Sequence, residues 1–389
     1  MPVNYAQLMQ ILPAAVGKIP AWQVSISQKI ELARQVYVSA QNRQEELTQV
    51  VDHLVNKIDP LVQTARPGHE PLAACYPPAE ITAPLTLVCS DASQMLPSES
   101  QLGCGLVNTV AASMRIFPDD SEMPIVRIET ELFLQNDRFT PGGVLQSDDS
   151  VDLYRDVRER ELLAEMAIAH TAEAPVFALL DSTLELWGSH NPALTGHFGA
   201  SVNRNRKAFE QMRDQGIYIC GYVESQVSNL LVHFLEIAMT PKDQLPSVRQ
   251  IHPLAGISDS MVLADLLPSG HRTAVFKLKT RTLNFDGPLS TNLFFMNVGS
   301  HPIPKIVRIE IPEFFCQSAD IIGLLQAVTL RQVSIVPTTR YVYLLGRCHE
   351  LAQIPDREYI ENLIRGEYLR QHLAVPQATE KSWAKRLIR

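Results

Sequence analysis

Leu85-Thr86-Leu87-Val88-Cys89, closing on Ser90-Asp91-Ala92-Ser93-Gln94, and Val176-Phe177-Ala178-Leu179-Leu180, closing on Asp181-Ser182-Thr183-Leu184, are the two stretches on which the reading of this chain turns. Each is a short apolar run ended by turn-forming residues, the pattern of a buried strand. Each carries an aspartate at its mouth, where a carboxylate is costly to desolvate unless it is paired or binds a cation. Either one alone reads as a strand-end turn in which aspartate bonds its own backbone. Between them lie two β-rich stretches, 103–115 and 124–135, and a helical stretch, 151–170, that carries Glu161. Three carboxylates on neighbouring elements repel one another. A pair of divalent ions resolves that repulsion and can clamp a phosphodiester for in-line hydrolysis.

The order strand, hairpin, helix, strand, with Asp, Glu and Asp on the first, fourth and fifth elements, is that of a ribonuclease H-like nuclease core. The expected fold is therefore α/β: a ribonuclease H-like mixed sheet flanked by helices, with an N-terminal long helix and insertions. Within 151–170, Val157, Ala164 and Ile168 share a face with Tyr154, and Glu161 falls on that stripe. Glu159 is expected to face solvent and Glu165 to lie at the stripe's edge. A glutamate on an apolar face needs metal ligation or a salt bridge, and Arg158 is a basic partner at helical spacing. Further helices are expected at 203–215, 225–238, 318–332, 338–353 and 356–371, and strands at 217–222, 273–278, 292–298 and 304–311. Tyr341 and His349 fall eight apart on the helix 338–353, so that 341, 345 and 349 share a face. A histidine beside metal ions can move a proton, and a tyrosine can contact phosphate or stack on a base.

The N-terminal segment reads differently. Ile30, Tyr37, Gln44, Val51 and Ile58 recur every seven residues, with Ala33, Ala40, Leu47 and Leu54 as a second seam. This predicts one long helix over 26–58, bracketed by Pro20 and Pro60, whose seam serves self-association or intramolecular packing equally well. A proline-rich linker follows at 66–84. The expected division is a helical, dimerising segment at 1–66 and a nuclease domain at 67–389, with an insertion around 240–270.

Composition bounds the function. The chain has 389 residues, 46% of them hydrophobic and 20% charged, which describes a globular protein. No run approaches a membrane span, and the N-terminus lacks the basic and apolar regions of a secretory signal. Six scattered cysteines with no C-x-x-C pair argue against zinc and for a reduced, cytoplasmic setting. The net charge of −8 is unusual for a nucleic-acid protein. Clustered metal ligands account for part of it, and the tail from Lys381 to Arg389 is locally basic. There is no phosphate-binding G-x-x-x-x-G-K-[ST] loop and no G-x-S-x-G elbow, which excludes those ATPase and hydrolase classes.

At these residues the chain resembles the NurA family of DNA-end-processing nucleases. The resemblance lies in Asp91-Ala92-Ser93-Gln94 with Pro97, in Glu161, and in Leu180-Asp181-Ser182-Thr183-Leu184. It continues through Gly221-Tyr222-Val223, the run Gly270 to Phe276, Val307-Arg308-Ile309-Glu310-Ile311-Pro312, Tyr341 with His349-Glu350, and Lys381 to Arg386. It spans residue 85 to the C-terminus. Ala92 and Ser182 stand where the family favours glycine, and Glu224-Ser225-Gln226 where relatives tend to carry a basic residue. The resemblance implies a manganese-dependent nuclease (magnesium as an alternative, two ions) resecting DNA ends in double-strand break repair. It implies a homodimer and a HerA-type hexameric ATPase as partner. It also implies Asp91, Glu161 and Asp181 as metal ligands, with Tyr341 and His349 completing the site. The alternatives are a weak or inactive DNA clamp and translocase adaptor, or a ribonuclease H-like enzyme cutting branched DNA or RNA.

Overall fold

The computed structural model describes residues 3–96, 100, 102, 104–133, 148–173, 175–186, 195–224, 227–279, 285–300 and 302–375. In chain order the elements begin with α1 (Tyr5–Val16), α2 (Ile19–Ala40), α3 (Gln44–His53), β1 (Thr64–Pro67), β2 (Leu85–Met95), β3 (Gly105–Ile116) and β4 (Ile125–Phe133). They continue with α4 (Asp148–Ala169), β5 (Val176–Leu180), α5 (Thr195–Asp214), β6 (Tyr218–Val223), α6 (Leu230–Met239) and α7 (Asp259–Leu263). The last are β7 (Phe276–Lys279), β8 (Thr291–Asn297), β9 (Ile306–Pro312), α8 (Ala319–Ile335), α9 (Tyr343–Ala352) and α10 (Arg357–Arg370). Residues 134–147, Ser225-Gln226 and the tail from Lys381 lie outside the described residues.

The chain forms two compact units, divided otherwise than at 66/67. One comprises Met1–Pro78, Glu224–Leu283 and Asn292–Ile309; the other comprises Ala79–Val223, Asn284–Thr291 and Glu310–Arg389. In the second unit, β2, β3 and β4 are antiparallel neighbours, β5 lies parallel to β2 on its other side, and β6 lies parallel to β5. The order β4-β3-β2-β5-β6 is the mixed sheet of the ribonuclease H-like fold. Antiparallel strands can return by a tight turn, whereas the two parallel steps need crossovers, which α4 and α5 supply. The apolar face of those helices closes over the sheet through Leu162, Leu163, Phe209 and Met212 against Val88, Ala178, Leu180 and Ile219.

In the first unit the expected helix 26–58 is broken. α2 ends at Ala40, a single tight turn spans Gln41–Arg43, and α3 follows, ending in a wider turn at Leu54–Ile58. The heptad residues Ala33, Tyr37, Ala40, Leu47, Val51 and Leu54 are all buried within this unit, packed with Leu231, Phe234 and Leu235 of α6. Gln44, the polar interruption in the seam, is a clamp on the segment that follows. Its Nε2 donates to the carbonyls of Gly68 (3.0 Å) and Glu70 (2.9 Å), and its Oε1 accepts from Leu72 N–H (2.9 Å). The seam is thus intramolecular, and it is not a free surface for self-association. Leu47→Asp is expected to lower stability by about 3 kcal/mol or more, since it buries an unpaired charge in a packed core. Thermal melting checks this: a folded monomer of unchanged melting temperature would return the seam to an intermolecular role.

Candidate active site

β2 and β5 run parallel and in register from Thr86 opposite Val176 to Ser90 opposite Leu180. One further step brings Asp91, midway along β2, level with Asp181, the first residue after β5, on neighbouring strands about 5 Å apart. β2 does not end at Asp91 as its apolar run suggests, because it continues to Met95 paired with β3. Side chains alternate across a sheet, so Asp91 shares a face with Cys89, and Asp181 shares that face with Leu179. This face meets α9. Cys348 Sγ donates to the Cys89 carbonyl at 3.5 Å, and Asn108 Nδ2 donates to the Ala352 carbonyl at 3.0 Å. His349, on the same helix, places Nδ1 2.8 Å from Asp91 Oδ2.

Tyr341 reaches the other aspartate, its hydroxyl donating to the Asp181 carboxylate. Burial, then the charge of Asp181, raises its pKa far above that of a free phenol, so it remains a donor. Tyr341 does not stand on the helix with His349, as the spacing predicts. It precedes α9, just after Arg340, whose φ of 50° turns the chain in the left-handed region. The two residues still converge, one on each aspartate.

Glu161 is held by Arg204 of α5, with Nε to Oε1 at 2.8 Å and Nη2 to Oε2 at 2.7 Å, and Arg158 adds a longer contact at 3.6 Å. The stripe through Tyr154 and Glu161 faces α5: the Arg204 guanidinium lies 5.4 Å from the Tyr154 ring centre. Glu165 pairs with Arg158 and Arg127 on the outer surface. Glu159, expected in solvent, is only 6% exposed. It points toward the middle of β2, where Ser90 Oγ lies 3.5 Å from its Oε1. Burial pushes its pKa up to about 8; Arg160 opposes the rise, and the charges of Asp91 and Asp156 add to it. The signal was present in the sequence: Glu159, Leu163 and Met166 recur at i, i+4 and i+7, a second and better buried face.

Arg160 is a further residue that the sequence reading missed. It is 3% exposed and spans the loop after β5, donating to the Asp156 carbonyl (2.7 Å), the Thr183 carbonyl (2.8 Å) and Ser182 Oγ (3.3 Å). Ser182 thus serves as an acceptor for this buried cation. The same loop lies so close to β6 that a Cβ at Gly221 would stand 2.4 Å from the Ser182 carbonyl oxygen, which only glycine allows. Buried Glu310 completes the support by accepting from Leu184 N–H at 2.9 Å.

Asp91, Asp181, Tyr341 and His349 therefore meet on the α9 face, and Glu159 approaches from α4. The donor set is all oxygen plus one imidazole, partly buried and coupled in charge, which suits a hard divalent cation such as Mn²⁺ or Mg²⁺. Among the described residues, no three His, Cys, Asp or Glu side chains already enclose one point.

No family model matches the chain, and no curated protein matches it. Among solved structures it is similar to the NurA nuclease from Sulfolobus solfataricus, at 10% identity and a TM-score of 0.45 over 87% of this chain and 98% of that one. It is also similar to a NurA structure with manganese, at 12% identity and a TM-score of 0.35 over 75% and 91% of the two chains. The catalytic domain of human endonuclease V matches at 13% identity and a TM-score of 0.33 over 84% and 97%.

Proposed function

We propose that the chain is a divalent-cation-dependent DNA nuclease, acting at DNA ends. The observation that carries this is the set of two aspartates on adjacent parallel strands, Asp91 within β2 and Asp181 just after β5, each bonded to its own partner, with a buried Glu159 beside them. Asp91, Asp181 and Glu159 would hold the cation. When bound, it supplies Lewis-acid polarisation of the scissile phosphoryl oxygen. Tyr341 fixes the orientation of Asp181 through its hydroxyl. His349 is tied at Nδ1 to Asp91, and its Nε2, which Gln353 Nε2 approaches to 3.4 Å, is the nitrogen that would take a proton from the attacking water or return one to the leaving oxygen. Arg160 holds the loop carrying Asp181 and lowers the cost of carrying three acids together.

The motif resemblance extends the proposal to manganese, two ions, double-strand break repair, a homodimer and a HerA-type ATPase partner. α1 has no buried residue and exposes Tyr5, Met9, Ile11 and Leu12, so a partner surface is best sought there. All six cysteines are free thiols, which supports a reducing cytoplasmic setting. No described helix is long and apolar enough to cross a membrane. A non-catalytic DNA clamp is the second reading, favoured by the lack of a preformed metal enclosure among the described residues.

Incubating the chain with end-labelled linear DNA and Mn²⁺, with and without EDTA, decides between the two. Cleavage that EDTA abolishes is the expected result; binding without cleavage supports the clamp. His349→Ala is expected to slow single-turnover cleavage by roughly two to four orders of magnitude, with Mn²⁺ affinity changed little. Collapse of affinity in step with rate would make His349 a ligand.

A further inference from the structure

A cavity of about 450 Å³ opens beside the site, lined by Met123 and Val126 at the start of β4 and by Tyr341, Tyr343, Arg347 and Glu350 around α9. Its size lies within the roughly 300–1,000 Å³ of small-molecule sites. Tyr341 belongs to both places: it lines the cavity, and its hydroxyl bonds Asp181. Gly346 leaves the tyrosine ring uncovered on the cavity side, since a Cβ there would sit 3.6 Å from it. At the rim, Arg347 pairs with Glu350, an exposed ion pair that exchanges partners at little cost. The cavity therefore offers aromatic and aliphatic walls and a rim carrying both donors and acceptors.

We infer that this cavity receives one unstacked nucleobase of the DNA strand whose phosphodiester lies at Asp91 and Asp181. The inference rests on the nuclease reading and adds a substrate class to it. Tyr341 sets the span between base and phosphate, because one side chain borders both. An aromatic wall accepts any base, whereas the Arg347–Glu350 pair can meet either a purine or a pyrimidine edge, donating through the guanidinium and accepting through the carboxylate. A base can enter only when it is out of the stack, so the preferred substrate is single-stranded or frayed at its end.

The test measures equilibrium binding of deoxyadenosine 5′-monophosphate and of deoxyribose 5-phosphate in EDTA, with cleavage of single-stranded DNA in Mn²⁺ followed separately. Base stacking is worth about 1–3 kcal/mol, so the nucleotide should bind roughly tenfold or more tighter than the base-free sugar phosphate. Val126→Trp, a substitution at a half-open edge-strand position, should erase that difference by filling the cavity. Equal binding of the two probes by the parent protein overturns the inference whatever the variant does. So does an advantage that survives Val126→Trp in a folded protein. As a variant-free check, the parent should cut an oligonucleotide with one abasic residue beside the scissile bond at least several-fold more slowly than the intact strand; equal rates overturn the inference. If the parent cuts no DNA in Mn²⁺, the nuclease reading falls, and the binding difference still decides what the cavity takes.

Discussion

Asp91→Ala is expected to lower Mn²⁺-dependent cleavage by roughly a thousandfold or more while the protein stays folded. The removed group does two things at once. In the proposed function it is a cation ligand, and loss of Lewis-acid stabilisation would cost several kcal/mol of barrier, each 1.4 kcal/mol being about tenfold in rate. It is also the acceptor that orients His349. Asp91→Asn separates the two roles, since the amide can still meet the imidazole but carries no charge. If cation binding dominates, Asn and Ala are equally inactive; if orientation dominates, Asn retains most of the rate. Asp181→Ala should match Asp91→Ala, and it also frees the Tyr341 hydroxyl. Melting curves in EDTA accompany the rates. Near-normal cleavage by either alanine variant ends the two-aspartate reading.

The second large effect separates two glutamates two residues apart. Glu159→Gln is expected to eliminate cleavage, whereas Glu161→Gln should leave it intact. In the absence of cations, the pKa of Glu159 lies near 8 in the fold, against about 4.5 in the unfolded chain. Between these values the folded state holds a proton that the unfolded state has lost, so stability falls as pH rises from about 4.5 through about 8. Every pH unit crossed between them costs about 1.4 kcal/mol, so the window spans several kcal/mol. Glu159→Gln removes this slope and raises the metal-free melting temperature at pH 8. Glu161→Gln keeps the slope and loses the Arg204 pair. Adding Mn²⁺ at pH 6.5 to the parent should release a proton as Glu159 ionises, which calorimetry in buffers of different ionisation enthalpy detects. A parent whose melting temperature is flat from pH 5 to 8, or a Glu161 variant that stops cutting, would reverse the assignment.

The five-strand core was legible because its signals are local. The apolar runs before Asp91 and Asp181 specify the strands without any tertiary knowledge; the end is right for Asp181, but β2 continues past Asp91 to Met95 because β3 pairs with it there. The helical glutamate was less so, because α4 has two apolar faces. One packs on the sheet, and the other meets α5 through Tyr154 and the Glu161–Arg204 pair; only tertiary structure says which is which. Tyr341 and His349 were paired for the wrong local reason, since the turn at Arg340 sets Tyr341 off from the helix, yet they were rightly grouped. Arg160 left no trace in periodicity, because a buried arginine shows itself only through the carbonyls it bonds. The heptad seam was legible as a seam. Its partner, α6, lies nearly two hundred residues further along and could not be inferred from spacing.

That distance has a consequence for synthesis. The unit containing α2 and α3 draws on segments out to Ile309, and the one containing β2 closes only with segments beyond Glu310. At about 5–20 residues per second of elongation, the first helices emerge on the order of ten seconds or more before Leu231, Phe234 and Leu235 can cover them and the final segments are made. During that interval Tyr37, Leu47, Val51 and Leu54 form an uncovered greasy stripe on the nascent chain, a natural ligand for ribosome-associated chaperones. Truncated products that end before residue 224 would expose it permanently. Such fragments should be found in aggregates or bound to holdases, a burden that a sequential arrangement of two domains would not impose.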